Sequence, residues 1–524
     1  MSSPSPQPAQ RISRVRTGCL RCRVRKKKCD EKRPVCRACE RNNFVCQWPS
    51  GGPSRQRSPP LSFTRDTLSR GRSSPESSGT GAASPDRRRP NPGSIDCEPA
   101  VIESIDMNLD FDTALAQIPA FDPILDIACI PRSPAWGSMG GSSFHGEKAA
   151  LLEYYLHRTA ESMSNGFHST NPFITQLVPA AFTNDLILQL ILAQSAAHRA
   201  AQSEEGPGGR ISKSLYAKST HRFQQCMNDY ATDPETDALP LALGTLVMCY
   251  TETARGDING ALFDHLIACP PLLIHTLSKM PGGGTGPLSD FLVEYYFYTA
   301  VVSMISIDVD LGSQNIICEQ LEDRVQKLVA SNYSGNLCGC WLEVLLIIPK
   351  IFGLGKQLRR DGPSTDVIAL YATLHREIIE WSPPVLPGSS AWLVGQLYRH
   401  AALLYLYTAI EAPKSGALDR QNILVQTTVE QALAVLSQLS LPDRMNTSMC
   451  WPLAVIGSCV FDDSQKAVIK ARLETMSATI GLGNMKQTLR LLQRIWELPA
   501  TEDGAGPWNI SKAMQRHQIW ISFA

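Results

Sequence analysis

Six of the sixteen cysteines of this chain, Cys19, Cys22, Cys29, Cys36, Cys39 and Cys46, fall within 28 residues. Their spacing is C-x2-C-x6-C, repeated after six residues, so the second half-motif copies the first at an offset of 17. In a reducing compartment such a cluster is a metal site rather than a disulfide framework. Zinc takes four ligands in a tetrahedron, with sulfur at about 2.3 Å. One zinc would leave two thiols idle, whereas two zincs require eight ligand positions from six sulfurs. The count closes if two cysteines each bridge both metals, and the internal symmetry suggests one bridge from each half. The expected cofactor is therefore a pair of zinc ions.

Between Cys22 and Cys29 the chain reads RVRKKK, five cations among six residues, with no apolar face to bury. Six thiolates and two dications form an anionic kernel around which such side chains can be held. What remains positive is suited to phosphate, whose neutralisation releases counterions. The spacing fits a short helix presenting Arg23, Arg25, Lys26, Lys27 and Lys28 around a rod narrow enough for a major groove. Arg23–Lys28 also reads as a nuclear import signal.

The rest of the chain is organised around that end. The net charge of +1 is a sum of opposed blocks: +10 over residues 1–50, +5 over 51–90, −8 over 91–131 and −6 over 132–524. Such asymmetry marks a polyanion-binding end on an otherwise ordinary protein. With 524 residues, 43% of them apolar, the chain can build at least one sizeable core. The first 18 residues, expected to be a disordered basic N-terminus, lack the apolar run of a signal peptide, and no window reaches the length of apolar sequence that spans a bilayer. A soluble, intracellular protein with no membrane partner is expected.

Residues 49–94 are dominated by Ser, Pro, Gly and Arg and are expected to be a disordered linker, because so few large side chains cannot offset chain entropy. Nothing between residues 47 and 94 repeats apolar positions as a coiled coil must. Residues 95–131 interleave eight acids with Ile, Leu, Phe and Val, the pattern of an activation region that offers apolar residues to a coactivator groove. A short arm docked on the following domain is the alternative. From about residue 146 to the end the chain reads as helices, most clearly at Thr365–Trp381, where Val367, Leu370, Tyr371, Leu374 and Ile378 share one face. Similar periodicity marks Lys148–Met163, Asn184–Ala201, Asp290–Ile305, Trp341–Leu354, Val429–Leu439 and Met485–Leu498. The expected fold is mostly α: a small zinc cluster over residues 19–48, a disordered linker, and a large all-α domain over 146–524.

The run TGCLRCRVRKKKCDEKRPVCRACERNNFVCQWP resembles the DNA-binding domain of fungal binuclear zinc cluster, Zn(2)-Cys(6), transcription factors. That resemblance implies that Cys19 and Cys36 bridge, one zinc taking Cys19, Cys22, Cys29 and Cys36 and the other Cys36, Cys39, Cys46 and Cys19. It implies a CGG-type triplet read through Arg25 and Lys26, with Arg23, Lys27 and Lys28 on phosphates, where contacts position without specifying. Pro34 corresponds to the proline of the loop between the halves. The stretches LLEYYLHRTAESMSNG, NPFITQLVPAAFTNDLILQLILAQSAAH, FLVEYYFYTAVVSM and WPLAVIGSCVFDDSQKAVIKARLETM resemble the second type of fungal-specific transcription factor regulatory domain, an all-helical array that brings no catalytic residues.

Other chemistry has weaker support. Asp462-Asp463 is similar to the magnesium-binding aspartates of terpene synthases, but Gln465 and Lys466 follow where a third carboxylate belongs. His265 and Cys269 stand one helical turn apart, and Cys338 and Cys340 form a close pair; each lacks partners and reads as a core or loop residue. The segment PGGGTGP at 281–287 lacks the Gly-Lys-Ser/Thr of a phosphate loop and reads as a turn. No enzyme is expected. The expected function is a nuclear, zinc-dependent, pathway-specific activator of RNA polymerase II transcription binding double-stranded DNA, with any homodimer formed through the helical domain. The alternatives are a repressor, or an interaction scaffold whose cluster does not read DNA.

Overall fold

The computed structural model describes residues 19, 29–33, 36–40, 142–202, 207–233, 235–307, 316–410, 418–497 and 506–524. The chain divides into two compact units, Met1–Ala100 and Val101–Ala524. The described part of the first unit is the cysteine cluster with one short helix, Arg37–Glu40.

The second unit is an array of helices, with only isolated β-bridges among the described residues. In its first half Asp185–Ala201 packs against both Pro207–Thr232 and Leu239–Arg255, and Leu239–Arg255 packs against Ala261–Lys279. The helix Leu239–Arg255 is buried on every side from Leu241 to Ala254. Its three threonines are accommodated because their hydroxyls donate back to carbonyls three or four residues earlier, as Thr251 does to Val247 at 2.8 Å. Ala261–Lys279 continues through Pro270 and Pro271, which would end an isolated helix. Among the described residues it is the helix long and apolar enough to cross a membrane; here its Leu266, Cys269, Leu273 and Leu277 row is buried in the core.

The second half is centred on Ser390–Tyr407, buried from Leu393 to Tyr407 apart from Arg399 and flanked by Leu342–Asp361, Thr365–Glu380, Leu418–Gln438 and Cys450–Ser458. Aromatic rings fill the spaces between these helices. Tyr398 stacks between Trp341 at 5.0 Å and Trp451 at 5.7 Å, and Tyr405 stacks on Trp508 at 4.5 Å. One buried carboxylate organises a loop: Glu294 accepts from the Leu337 and Cys338 amides and the Tyr333 hydroxyl, each at 2.8 Å. The carboxylate itself leaves no room for a side chain at Gly335, where a Cβ would lie 2.1 Å from its oxygen.

Two further helices, Asp463–Thr479 and Gly483–Trp496, form a hairpin on the surface of this array. The hairpin is seated where Gly256, in the left-handed region at φ +63°, ends Leu239–Arg255 against Gly483. A Cβ on Gly483 would lie 2.4 Å from the Gly256 nitrogen, so the two backbones meet only because neither carries a side chain.

The expected helices are all found, with different ends. Trp341–Leu354 extends to Asp361 through Pro349, Val429–Leu439 begins at Leu418, and Asp290–Ile305 begins at Pro287. The segment expected to be a plain turn contains a helical turn, Pro281–Gly284, its prolines at 281 and 287 each opening a helix where a missing N–H costs nothing.

Candidate metal centre

Three sulfurs converge in the first unit. Cys19 Sγ lies 3.7 Å from Cys36 Sγ and 3.6 Å from Cys39 Sγ, and all three side chains are buried. A tetrahedral zinc with sulfur at about 2.3 Å has an edge of about 3.8 Å, so these spacings fit thiolates sharing one ion. Cys29 belongs to a second group with Cys36, their ligand atoms within 4.8 Å. The Cys29 thiol also interacts with Cys19. Among the described cysteines, Cys19 and Cys36 thus adjoin both Cys29 and Cys39.

The local chain explains the arrangement. Cys36 opens the turn that precedes Arg37–Glu40: its carbonyl accepts from the Cys39 amide at 3.0 Å, and that same amide approaches Cys36 Sγ at 3.4 Å. An N–H aimed at sulfur favours the thiolate. Asp30, although within reach of Cys29 and Cys36, is engaged elsewhere, its carboxylate accepting the Arg37 amide at 3.0 and 3.2 Å. It caps the helix and is not needed as a ligand. Glu31 takes a left-handed φ of 58° to reverse the chain after Cys29.

Cys22, Cys46 and Pro34 lie outside the described residues, as do Arg23, Arg25, Lys26, Lys27 and Lys28 and the segments 49–94 and 95–131.

Among the described residues, the groups of three ligand-type side chains able to hold one ion are both at this cluster. The other sets noted in the sequence have structural partners instead. His265 Nε2 stands 3.9 Å from Glu252, a buried carboxylate that also accepts from Tyr216 and pairs with Arg255 at 2.9 Å. Burial pushes the Glu252 carboxyl up, but His265, Arg255 and Tyr216 outweigh it and hold the group below the usual range. Cys269 is buried one turn beyond, its thiol pushed up to about 12 by burial. Cys338 and Cys340 point to different carbonyls, Gly339 and Ala391. Asp462 is a helix N-cap, accepting from the Ser464 and Gln465 amides at 2.7 and 3.3 Å, and Asp463 pairs with Lys466 at 2.9 Å.

The sequence matches the fungal Zn(2)-Cys(6) binuclear cluster domain over residues 17–55 and the fungal specific transcription factor domain over residues 150–524. The chain belongs to the fungal zinc cluster transcription factor family, whose cluster domain binds two zinc ions. It is a DNA-binding transcriptional regulator and not an enzyme. It is 25% identical over 557 aligned residues, covering 97% of each chain, to the transcriptional activator protein UGA3 of Saccharomyces cerevisiae. It is 22% identical over 596 residues, 97% of this chain and 99% of the relative, to the ustiloxin B cluster transcription factor ustR of Aspergillus flavus. A third relative, the Zn(2)-C6 fungal-type transcription factor afumD of Aspergillus fumigatus, is 58% identical over 41 residues, 8% of this chain and 10% of that one. No solved structure matches.

Proposed function

We propose that this protein is a nuclear, pathway-specific activator that reads CGG-type triplets through Arg25 and Lys26, with Arg23, Lys27 and Lys28 on flanking phosphates. Cys19, Cys22, Cys29, Cys36, Cys39 and Cys46 hold two zinc ions, Cys19 and Cys36 bridging. The observation that carries the reading is the placement of Cys19 and Cys36 beside both Cys29 and Cys39, at sulfur spacings that suit zinc. A cluster so held can present the basic run between its second and third cysteines to a groove. Activation is assigned to residues 95–131, on their interleaved acids and apolar residues and on the activator function in the name of the yeast relative. The name of the Aspergillus flavus relative ties it to one biosynthetic cluster, which favours a pathway-specific role here. Residues 49–94 carry no heptad pattern, so any homodimer forms through the helical domain and tolerates a range of triplet separations.

Chromatin occupancy mapping of the intact protein tests this directly. Bound regions enriched in CGG triplets near genes of one pathway, whose expression falls when residues 95–131 are deleted, are expected. Occupancy unrelated to CGG, or retained by the Arg25→Ala/Lys26→Ala double variant, would refute the base-reading assignment.

A further inference from the structure

The hairpin of Asp463–Thr479 and Gly483–Trp496 encloses, with Gln202 at the end of Asp185–Ala201, an open cleft of about 430 Å³. That is toward the small end of ligand pockets, which run from about 300 to 1,000 Å³. Two cations line it one helical turn apart, Lys486 and Arg490. Like charges at that spacing repel, and neither cation forms an ion pair among the described residues. The Lys486 ammonium meets only the Ala201 carbonyl, at 3.2 Å, and Arg490 makes no ion pair or hydrogen bond among the described residues. The next cation along the same face, Arg494, does not line the cleft and is neutralised by Glu497 at 2.9 Å. The cations left unpaired are those that face the hollow.

The remaining lining narrows the chemistry. Ser477 Oγ is buried without a hydrogen-bond partner, a polar atom available to a guest. Leu489, only partly buried, supplies apolar surface, while Leu473 is fully buried. Glu474 also lines the cleft and pairs with Lys470 at 3.8 Å, so the cleft holds one negative charge of its own, which disfavours a dianion.

The cleft is also connected to an irregular element. Gln202 Nε2 donates to the Ile480 carbonyl at 3.3 Å beside His198, whose Nε2 reaches the same carbonyl at 3.0 Å. His198 Nδ1 in turn meets the Thr159 hydroxyl at 3.2 Å, and Thr159 closes the π-helical turn Tyr155–Thr159. Such turns are rare and concentrate at functional sites. Gly481, at φ +83°, keeps Gln202 in place, since a Cβ there would lie 2.1 Å from its amide nitrogen.

We propose that this cleft is an effector site for a compact monocarboxylate with a short aliphatic body, its carboxylate held by Lys486 and Arg490 and its chain lying on Leu489. Any transmission from the site to the DNA-binding end rests on the regulatory reading of the helical domain; occupancy of the cleft does not.

The test is calorimetry on the full-length, zinc-loaded protein with sodium hexanoate, against sodium chloride at equal ionic strength and against sodium phosphate. Saturable one-to-one hexanoate binding is expected, weakened at least tenfold by Arg490→Gln or Lys486→Gln and unaffected by Arg494→Gln. Ala478→Trp, which fills the cleft without removing a charge, should also abolish it. Absence of saturable binding, retention of full affinity by the Lys486→Gln/Arg490→Gln double variant, or phosphate binding as tight as hexanoate would overturn the proposal. Affinity for a CGG duplex, measured with and without hexanoate, separates the two readings: no change there alongside intact hexanoate binding removes the regulatory link and leaves the site.

Discussion

The cysteine cluster and the helical body are both stable folds built on opposite economies of burial. Among the described residues of the first unit, those buried are Cys19, Cys36 and Cys39. The second unit buries scores of aliphatic and aromatic side chains in one continuous core. A cluster with too little apolar surface to fold alone must take its folding free energy from the metal, whereas the helical body takes it from area removed from water. The two units should therefore fail under different insults, and that independence is what can be broken or sharpened.

The largest effect should come from the metal. Zinc bound to small cysteine sites is worth on the order of 10 kcal/mol of folding free energy. Chelation should abolish DNA binding while leaving the thermal transition of the helical body where it was, as followed by circular dichroism. Within the cluster, native mass spectrometry should find that Cys19→Ala or Cys36→Ala loses both zincs and Cys39→Ala loses one. A Cys36→Ala protein that keeps one zinc would break the bridging assignment.

Next comes the core of the other unit. Trp451 is fully buried between Tyr398 and Tyr405, and its truncation to Ala should cost roughly 3–5 kcal/mol in denaturant unfolding. Zinc content should stay at two. Loss of zinc from that variant would show that the units are coupled.

His198 tests the same contrast through pH. Burial lowers its pKa to about 4, from an ordinary value near 6.5, so the folded state holds it neutral. Its contribution is complete above pH 6.5 and is lost as pH falls from 6.5 toward 4, to the extent of about 3 kcal/mol. Comparison with His198→Gln isolates it: the wild-type protein should lose stability relative to the variant across that window. A difference that does not change with pH would mean that the imidazole is accessible to protons in the fold.

The smallest effects are expected at the DNA surface. Lys26→Ala should cost about 1–3 kcal/mol on the cognate triplet and much less on random DNA. Lys28→Ala should weaken both alike and reduce the salt slope by about one unit. Equal behaviour of the two variants in anisotropy titrations would remove the distinction between reading and holding.

The two units also differ in how far they could be read in advance. The cluster was legible because its ligands are consecutive in the chain, and a duplicated spacing states its own stoichiometry. The amphipathic helix Thr365–Glu380 was legible because Val367, Leu374 and Ile378 form a buried stripe, although Leu370, which shares that periodicity, is exposed. Leu239–Arg255 and Ser390–Tyr407 carry no such stripe, since helices buried on all sides are apolar all round. Pro270 and Pro271 lie inside Ala261–Lys279, whose Leu266, Cys269 and Leu273 are buried.

By itself, then, the order of residues determined the zinc count and the helical character of the body, because each depends on neighbours within a few positions. Tertiary structure alone decided that Glu294 is a loop anchor, its amide partners lying more than 40 residues on in the chain. It also decided that Lys486 and Arg490 face a hollow. A charge pattern on one helix is identical whether its counter-ions come from its own surface, from a partner helix or from a guest. Only the packing of Gly483 against Gly256, more than 200 residues away in the chain, settles which side chains are left facing the cleft.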